Sequence, residues 1–105
     1  MAAYLIFTRE GPIRDEAEMA QYSAKNAANS PKYAADYEAK ALAFYGAQQV
    51  LETAGPDDKG PDGVVLLEFP DAAKARAWYD SPEYQDALQH RLNGASYRCT
   101  LVEGV

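Results

Sequence analysis

Six side chains in this sequence combine a usable chemistry with a usable spacing: Arg91, Tyr84, Glu68, His90, Trp78 and Tyr4. Arg91 is the most informative. Tyr84, Ala87, Leu88 and Arg91 fall at i, i+3, i+4 and i+7, so all four share one face of a helix. That stripe faces a sheet, and the guanidinium therefore points inward or grazes the edge of the core. A buried guanidinium needs a carboxylate or an anionic ligand, because an unpaired buried charge is costly. Two readings follow. Arg91 either forms a structural ion pair with Glu68 or Glu103, or it clamps a substrate carboxylate or enolate with its planar fork of donors.

Glu68 stands in the run "VVLLEF", on the face shared with Val64 and Leu66. A carboxylate in so apolar a strand suits a general acid or base; the plainer alternatives are a partner for Arg91 or a wetted strand end. His90 is the only histidine, the residue type that titrates near neutrality by default. By helical angle it groups with Glu83 and Asp86, away from the Arg91 stripe, which favours a solvated pair with Asp86 over catalysis. Trp78 precedes the cap formed by Ser81, Pro82 and Glu83, and its ring serves either the core or the wall of a binding site. Tyr84 and Tyr4 carry phenols able to donate to a substrate oxygen. The assignment is thus Glu68, Tyr84 and His90 as catalytic, with Arg91, Tyr4 and Trp78 binding substrate. Tyr22, Tyr33, Tyr37 and Tyr45 recur at helical spacing and read as core or dimer surface.

The elements that must position these groups are legible in outline. "AAYLIFTRE" alternates, with Leu5 and Phe7 on one face and Tyr4, Ile6 and Thr8 on the other, as in a half-buried strand. After Gly11-Pro12, helical spacing runs from Asp15 to about Asn29. Ser30-Pro31 predicts a break and restart, and a second helical run through Phe44 and Tyr45 with Gly46 as its C-cap. "AQQVLET" reads as a short polar strand and "AGPDDKGPDG" as a loop. "VVLLEF" is the strongest strand, "DAAKARAWY" is helical, and Ser81 caps a continuation to Gly94 before a final strand in "SYRCTLVEG". The order β, split α, β, β, α, β is the ferredoxin-like pattern, an α+β fold with a four-stranded antiparallel sheet. Helices on one face leave the other bare, and a homodimer packing sheet against sheet would cover it.

"LLEFPDAAKARAWYDSPEYQDALQHR", followed by a terminal "LVEG", resembles the domain-of-unknown-function family 1330 of the dimeric α+β barrel superfamily. The likeness is close from Val64 to Gly104 and looser at Tyr4 to Phe7 and in "YGAQQVL". It implies a dimeric barrel and leaves the chemistry open, since the wider superfamily spans cofactor-free monooxygenases, lactone isomerases, dehydratases and heme enzymes. Two departures stand out. "NAANSPKYAADYEAK" looks like an insertion, and "LETAG" stands where the family often carries an Arg-Gly pair.

Composition narrows the classes. The 105 residues suit one domain, and 48% hydrophobic with 25% charged residues is ordinary for a globular protein. A formal charge of −6 speaks against nucleic acid and anionic membranes. No apolar run approaches a membrane span, and the start does not read as a signal peptide. One cysteine and one histidine exclude an internal disulfide and a His- or Cys-based metal cluster, and point to the cytoplasm. Neither heme nor flavin is expected, for want of a good axial ligand other than His90 and of a Gly-rich phosphate loop. The resulting expectation is a cytoplasmic homodimer that performs cofactor-free proton transfer, of isomerase, dehydratase or lyase type. Its ligand is a small organic acid, lactone or carbonyl compound; the alternative is a non-catalytic binding or dimerisation module.

Overall fold

The computed structural model describes residues 1–105. The elements are β1 (Ala3–Arg9), α1 (Glu16–Tyr37), β2 (Lys40–Phe44), β3 (Gly63–Phe69), α2 (Ala72–Tyr79), α3 (Pro82–Gly94) and β4 (Tyr97–Glu103). The strands form one sheet in the order β2-β3-β1-β4, antiparallel throughout. This is the expected ferredoxin-like arrangement.

The period-two pattern sets which face each strand buries. Ala3, Leu5 and Phe7 of β1 and Val65 and Phe69 of β3 are buried beneath the helices, with Leu67, Tyr97 and Cys99 packed beside them. Trp78 of α2 and Tyr84 and Leu88 of α3 close the core from above. The opposite face carries Tyr4, Ile6, Val64, Leu66 and Glu68, all half-buried, and the exposed Val102. No helix of this chain covers it.

Helix ends follow local chemistry. Asp15, Asp71 and Ser81 each accept from the backbone N–H three residues on, at the starts of α1, α2 and α3. The end of α3 is held by the start of α1: the Arg14 and Asp15 N–H groups both donate to the Gly94 carbonyl, and the Arg14 guanidinium donates to Leu92 O at 3.0 Å. Gly94 permits this approach, since a Cβ there would lie 2.8 Å from Met19 Cγ and 3.2 Å from Asp15 O.

Three expectations are corrected. The helix does not break at Ser30-Pro31: α1 runs through Pro31 to Tyr37. Its continuation is secured by tertiary contacts, with Tyr33 buried edge-on against Trp78 at 5.5 Å and Lys32 paired with Glu83 at 2.5 Å. Nor does a helix extend to Gly46. It stops at Glu38, in the left-handed region at φ 55°, whose N–H caps Ala34 O. The second strand is therefore "KALAF", paired with β3 through a bulge between Ala41 and Ala43, and "AQQVLET" is loop. Alanine-rich β2 has a helical composition, and pairing with an apolar neighbour strand overrides it.

Candidate functional site

α1 packs chiefly on α3 rather than on the strands, while α2 lies across β1, β3 and β4. The helix layer thus leaves a space between α1 and the β2–β3 half of the sheet. It is a cavity of about 1230 Å³, walled by aromatic residues including Phe7, Tyr22, Tyr33, Phe44, Trp78 and Tyr97. The loop from Gly46 to Asp62 contributes Gln48, Val50, Lys59 and Pro61 to the same space. Beside it the hydroxyls of Tyr45 and Tyr97 meet at 2.5 Å, and Gly63 is needed there because a Cβ would lie 2.9 Å from the Tyr45 ring. Burial and the neighbouring Tyr97 hydroxyl push the Tyr45 phenol well above its ordinary value.

Arg91 is buried, with only 5% of its surface exposed, and it has no carboxylate within ion-pair distance. It lies behind the cavity wall, 5.6 Å from the centre of the Phe7 ring, 5.8 Å from that of Tyr22 and 5.0 Å from that of Tyr97. Its Nη1 donates to Tyr84 Oη at 3.2 Å, and Tyr84 Oη lies 2.9 Å from Tyr22 Oη. Arg91 Nε has no hydrogen-bond partner, and neither has Trp78 Nε1; both atoms are buried. Two unmet donors in one aromatic cluster are unusual for a folded protein, in which buried donors are almost always paired. Burial drives the Tyr84 phenol far above its ordinary value. The Tyr22 phenol is raised by burial and partly restrained by Tyr84 and Arg91. Both are neutral phenols at neutral pH.

The structure sorts the six expected residues into three places. Tyr84, Arg91 and Trp78 meet in the cluster behind and along the cavity wall. Glu68 and Tyr4 lie on the uncovered face of the sheet, directly opposite one another on β3 and β1. Glu68 therefore cannot be the partner of Arg91 within one chain, and Glu103 forms no pair with it either. His90 sits on the seam between α3 and α1, outside the cavity lining. Its partner is Glu18, with Nδ1 2.5 Å from Oε2, and not Asp86, which Lys25 occupies at 2.7 Å.

The cavity also holds groups that helical spacing alone reads as core. Tyr22 and Asn26, one turn apart on α1, both line it, and Tyr33 donates to Asn26 Oδ1 at 3.1 Å. The two carboxylates bordering it are Glu16 and Asp62, the latter already accepting from the Gly11 N–H at 2.7 Å. No three His, Cys, Asp or Glu side chains converge as a metal site. Cys99 is half-buried, and burial pushes its thiol up to about 11.

The α+β fold with its four-stranded antiparallel sheet makes this a ferredoxin-like protein. Within that class the chain belongs to the family described as domain of unknown function DUF1330, whose model matches residues 2–105. No curated protein matches the chain. Among solved structures it resembles a protein of unknown function from Rhodopseudomonas palustris (18% identity, TM-score 0.69, covering 99% of this chain and 82% of that one). It also resembles a dimeric ferredoxin-like protein of unknown function from Jannaschia (17% identity, TM-score 0.63, 99% and 100%). A third is described as a candidate antibiotic biosynthesis monooxygenase, from Caulobacter crescentus (12% identity, TM-score 0.59, 99% and 90%). At these identities the likeness establishes the fold. No helix is long and apolar enough to cross a membrane.

Proposed function

We propose that this protein is a homodimeric, cofactor-free enzyme whose helix–sheet cavity takes a small organic acid, lactone or other carbonyl compound and moves a proton on it. The observation that carries the reading is Arg91: a guanidinium buried without a carboxylate, behind an aromatic wall. Such a charge is poorly placed for stability and well placed to stabilise negative charge developing on a ligand oxygen in a dry site. Flat aromatic walls suit a planar substrate. Proton removal falls to a carboxylate at the cavity border, where Glu16 is the less engaged of the two, and not to Glu68 across the sheet.

The dimer is supported by the bare apolar face of Ile6, Leu66 and Val102, and by the dimeric neighbour from Jannaschia. In such an assembly Glu68 and Tyr4 belong to the interface. A half-buried thiol and a net charge of −6 fit a cytoplasmic protein that does not handle nucleic acid.

A thermal-shift panel of carboxylates, lactones and enones tests the reading on wild type and on Arg91→Met. A ligand present at about 100 times its dissociation constant stabilises by about 2.7 kcal/mol. Stabilisation of wild type that disappears in Arg91→Met is expected; a panel that leaves wild type unmoved sinks the proposal. Among compounds that bind, exchange of a carbon-bound proton with deuterated solvent separates an enzyme from a binding module.

A further inference from the structure

The hydrogen-bond chain behind the cavity has a direction, and the direction identifies the group that meets the ligand. A guanidinium has N–H donors and no lone pair to offer, so at Tyr84 Oη it is Arg91 that donates. The Tyr84 side chain is fully buried, and its own hydrogen needs an acceptor. The one oxygen within reach is Tyr22 Oη, at 2.9 Å. Tyr22 Oη is therefore the acceptor in that bond, which leaves the Tyr22 hydrogen unassigned. The Asn26 amide and the Arg91 guanidinium also lie near Tyr22 Oη, and both act there as donors to that oxygen, while Asn26 Oδ1, one helical turn away, already accepts from Tyr33. Tyr22 lines the cavity, whereas Tyr84 and Arg91 do not.

We infer that Tyr22 is the oxygen-binding donor of the cavity: its O–H, oriented and polarised by the chain from Arg91 through Tyr84, holds the carbonyl or carboxylate oxygen of the ligand. This inference rests on the cavity being the ligand site, as proposed above. Arg91 then acts at a distance, as the source of polarisation, and Tyr84 positions Tyr22. Each donor in such a chain strengthens the next. Because burial keeps both phenols protonated, the donor is neutral and accepts no proton from the substrate. The ligands selected are those with an oxygen acceptor on a flat apolar body, whether or not they are charged.

The test uses Prodan, a neutral, flat naphthyl ketone whose emission moves to the red when its carbonyl accepts a hydrogen bond, with dimethylaminonaphthalene as the carbonyl-free control. Wild type is expected to bind Prodan with red-shifted emission. Tyr22→Phe should lose that shift and bind Prodan about tenfold more weakly, the worth of one hydrogen bond, while the control binds both proteins alike. Tyr84→Phe, which keeps the Tyr22 hydroxyl but cuts the chain, should fall between them. Unchanged Prodan emission and affinity in Tyr22→Phe overturns the inference and leaves the cavity reading standing, as does equal weakening of Prodan and control. Failure of wild type to bind either probe overturns both. Should Tyr22→Phe not fold, the carbonyl stretch of Prodan bound to wild type decides. A shift to lower frequency that Tyr84→Phe diminishes supports the donor, and an unshifted band removes it.

Discussion

His90 and Arg91 are adjacent in the chain and occupy opposite worlds. Along the α1–α3 seam three basic side chains each meet an acid: His90 meets Glu18 at 2.5 Å, Lys25 meets Asp86 at 2.7 Å and Lys32 meets Glu83 at 2.5 Å. One residue further round α3, the buried Arg91 faces three aromatic rings and one phenol, and no acid. The chain is not short of carboxylates, with 16 against 10 lysines and arginines, so the empty position beside Arg91 is not forced by composition. The outer seam has the form of a stabilising interface. The inner cluster has the form of a site, in which donors are held ready at the expense of stability.

The two regions should fail at opposite ends of the pH scale, and this is the largest effect expected. Burial raises the Tyr22 and Tyr84 phenols above their ordinary 10.0. A group with a raised folded value contributes fully below its unfolded value and loses that contribution as the pH rises beyond it. Above pH 10, each phenol that remains protonated only in the folded state steepens the loss by up to ~1.4 kcal/mol per pH unit. Glu83 and Asp86 behave inversely. Hydrogen bonds from Lys32 and Lys25 lower both, so their contribution is present at neutrality and is lost as the pH falls through the carboxylate range. Urea midpoints followed by circular dichroism from pH 8 to 12 should fall steeply above pH 10, and less steeply in Tyr84→Phe. A flat alkaline limb would show the inner phenols to be wet, and the comparison would collapse.

Arg91→Met comes next in size. Methionine keeps the apolar stem and removes an uncompensated charge, whose desolvation outweighs its contacts with the three rings. The variant should be more stable than wild type by about 1 kcal/mol while losing ligand-induced stabilisation, measurable by urea unfolding with and without ligand. Destabilisation by more than ~2 kcal/mol would make Arg91 a structural residue, and the inner cluster would no longer differ in kind from the seam.

How much of this was legible in the sequence depends on which interaction decides each feature. β1, β3, β4, α2 and α3 follow from local signals: alternation in "AAYLIFTRE" and "SYRCTLVEG", the apolar run "VVLLEF" and the Ser81-Pro82-Glu83 start. α1 and β2 do not. Pro31 is a helix breaker locally, and only Tyr33 packing on Trp78 and the Lys32–Glu83 pair, both distant in sequence, keep the helix going. The inward direction of Arg91 was equally readable from its i+7 spacing to Tyr84. That Glu68 faces away from it was not, since two residues in separate elements share a face only once sheet and helix layers are assembled. Tyr22 shows the same limit: its helical spacing matches any core tyrosine, and only the approach of α1 to α3 brings its hydroxyl to Tyr84.

The smallest expected effect is the most discriminating about the seam. His90 and Glu18 are both about one-third exposed, so solvent weakens their attraction despite the short contact, and the pair is ionic only under conditions in which His90 is protonated, which is where the variant is to be measured. Glu18→Gln preserves the shape and a hydrogen-bond acceptor and removes only the charge, which should lower stability by ~0.5 kcal/mol in urea unfolding. High salt should erase most of that difference, because exposed charges are screened where buried ones are not. Prodan emission and affinity should not change, since neither side chain lines the cavity. A Glu18→Gln variant that folds normally but loses the Prodan red shift would couple the seam to the cavity. The separation between a satisfied outer flank of α3 and an unsatisfied inner one would then have to be replaced by a single network running from Glu18 through His90 to the site.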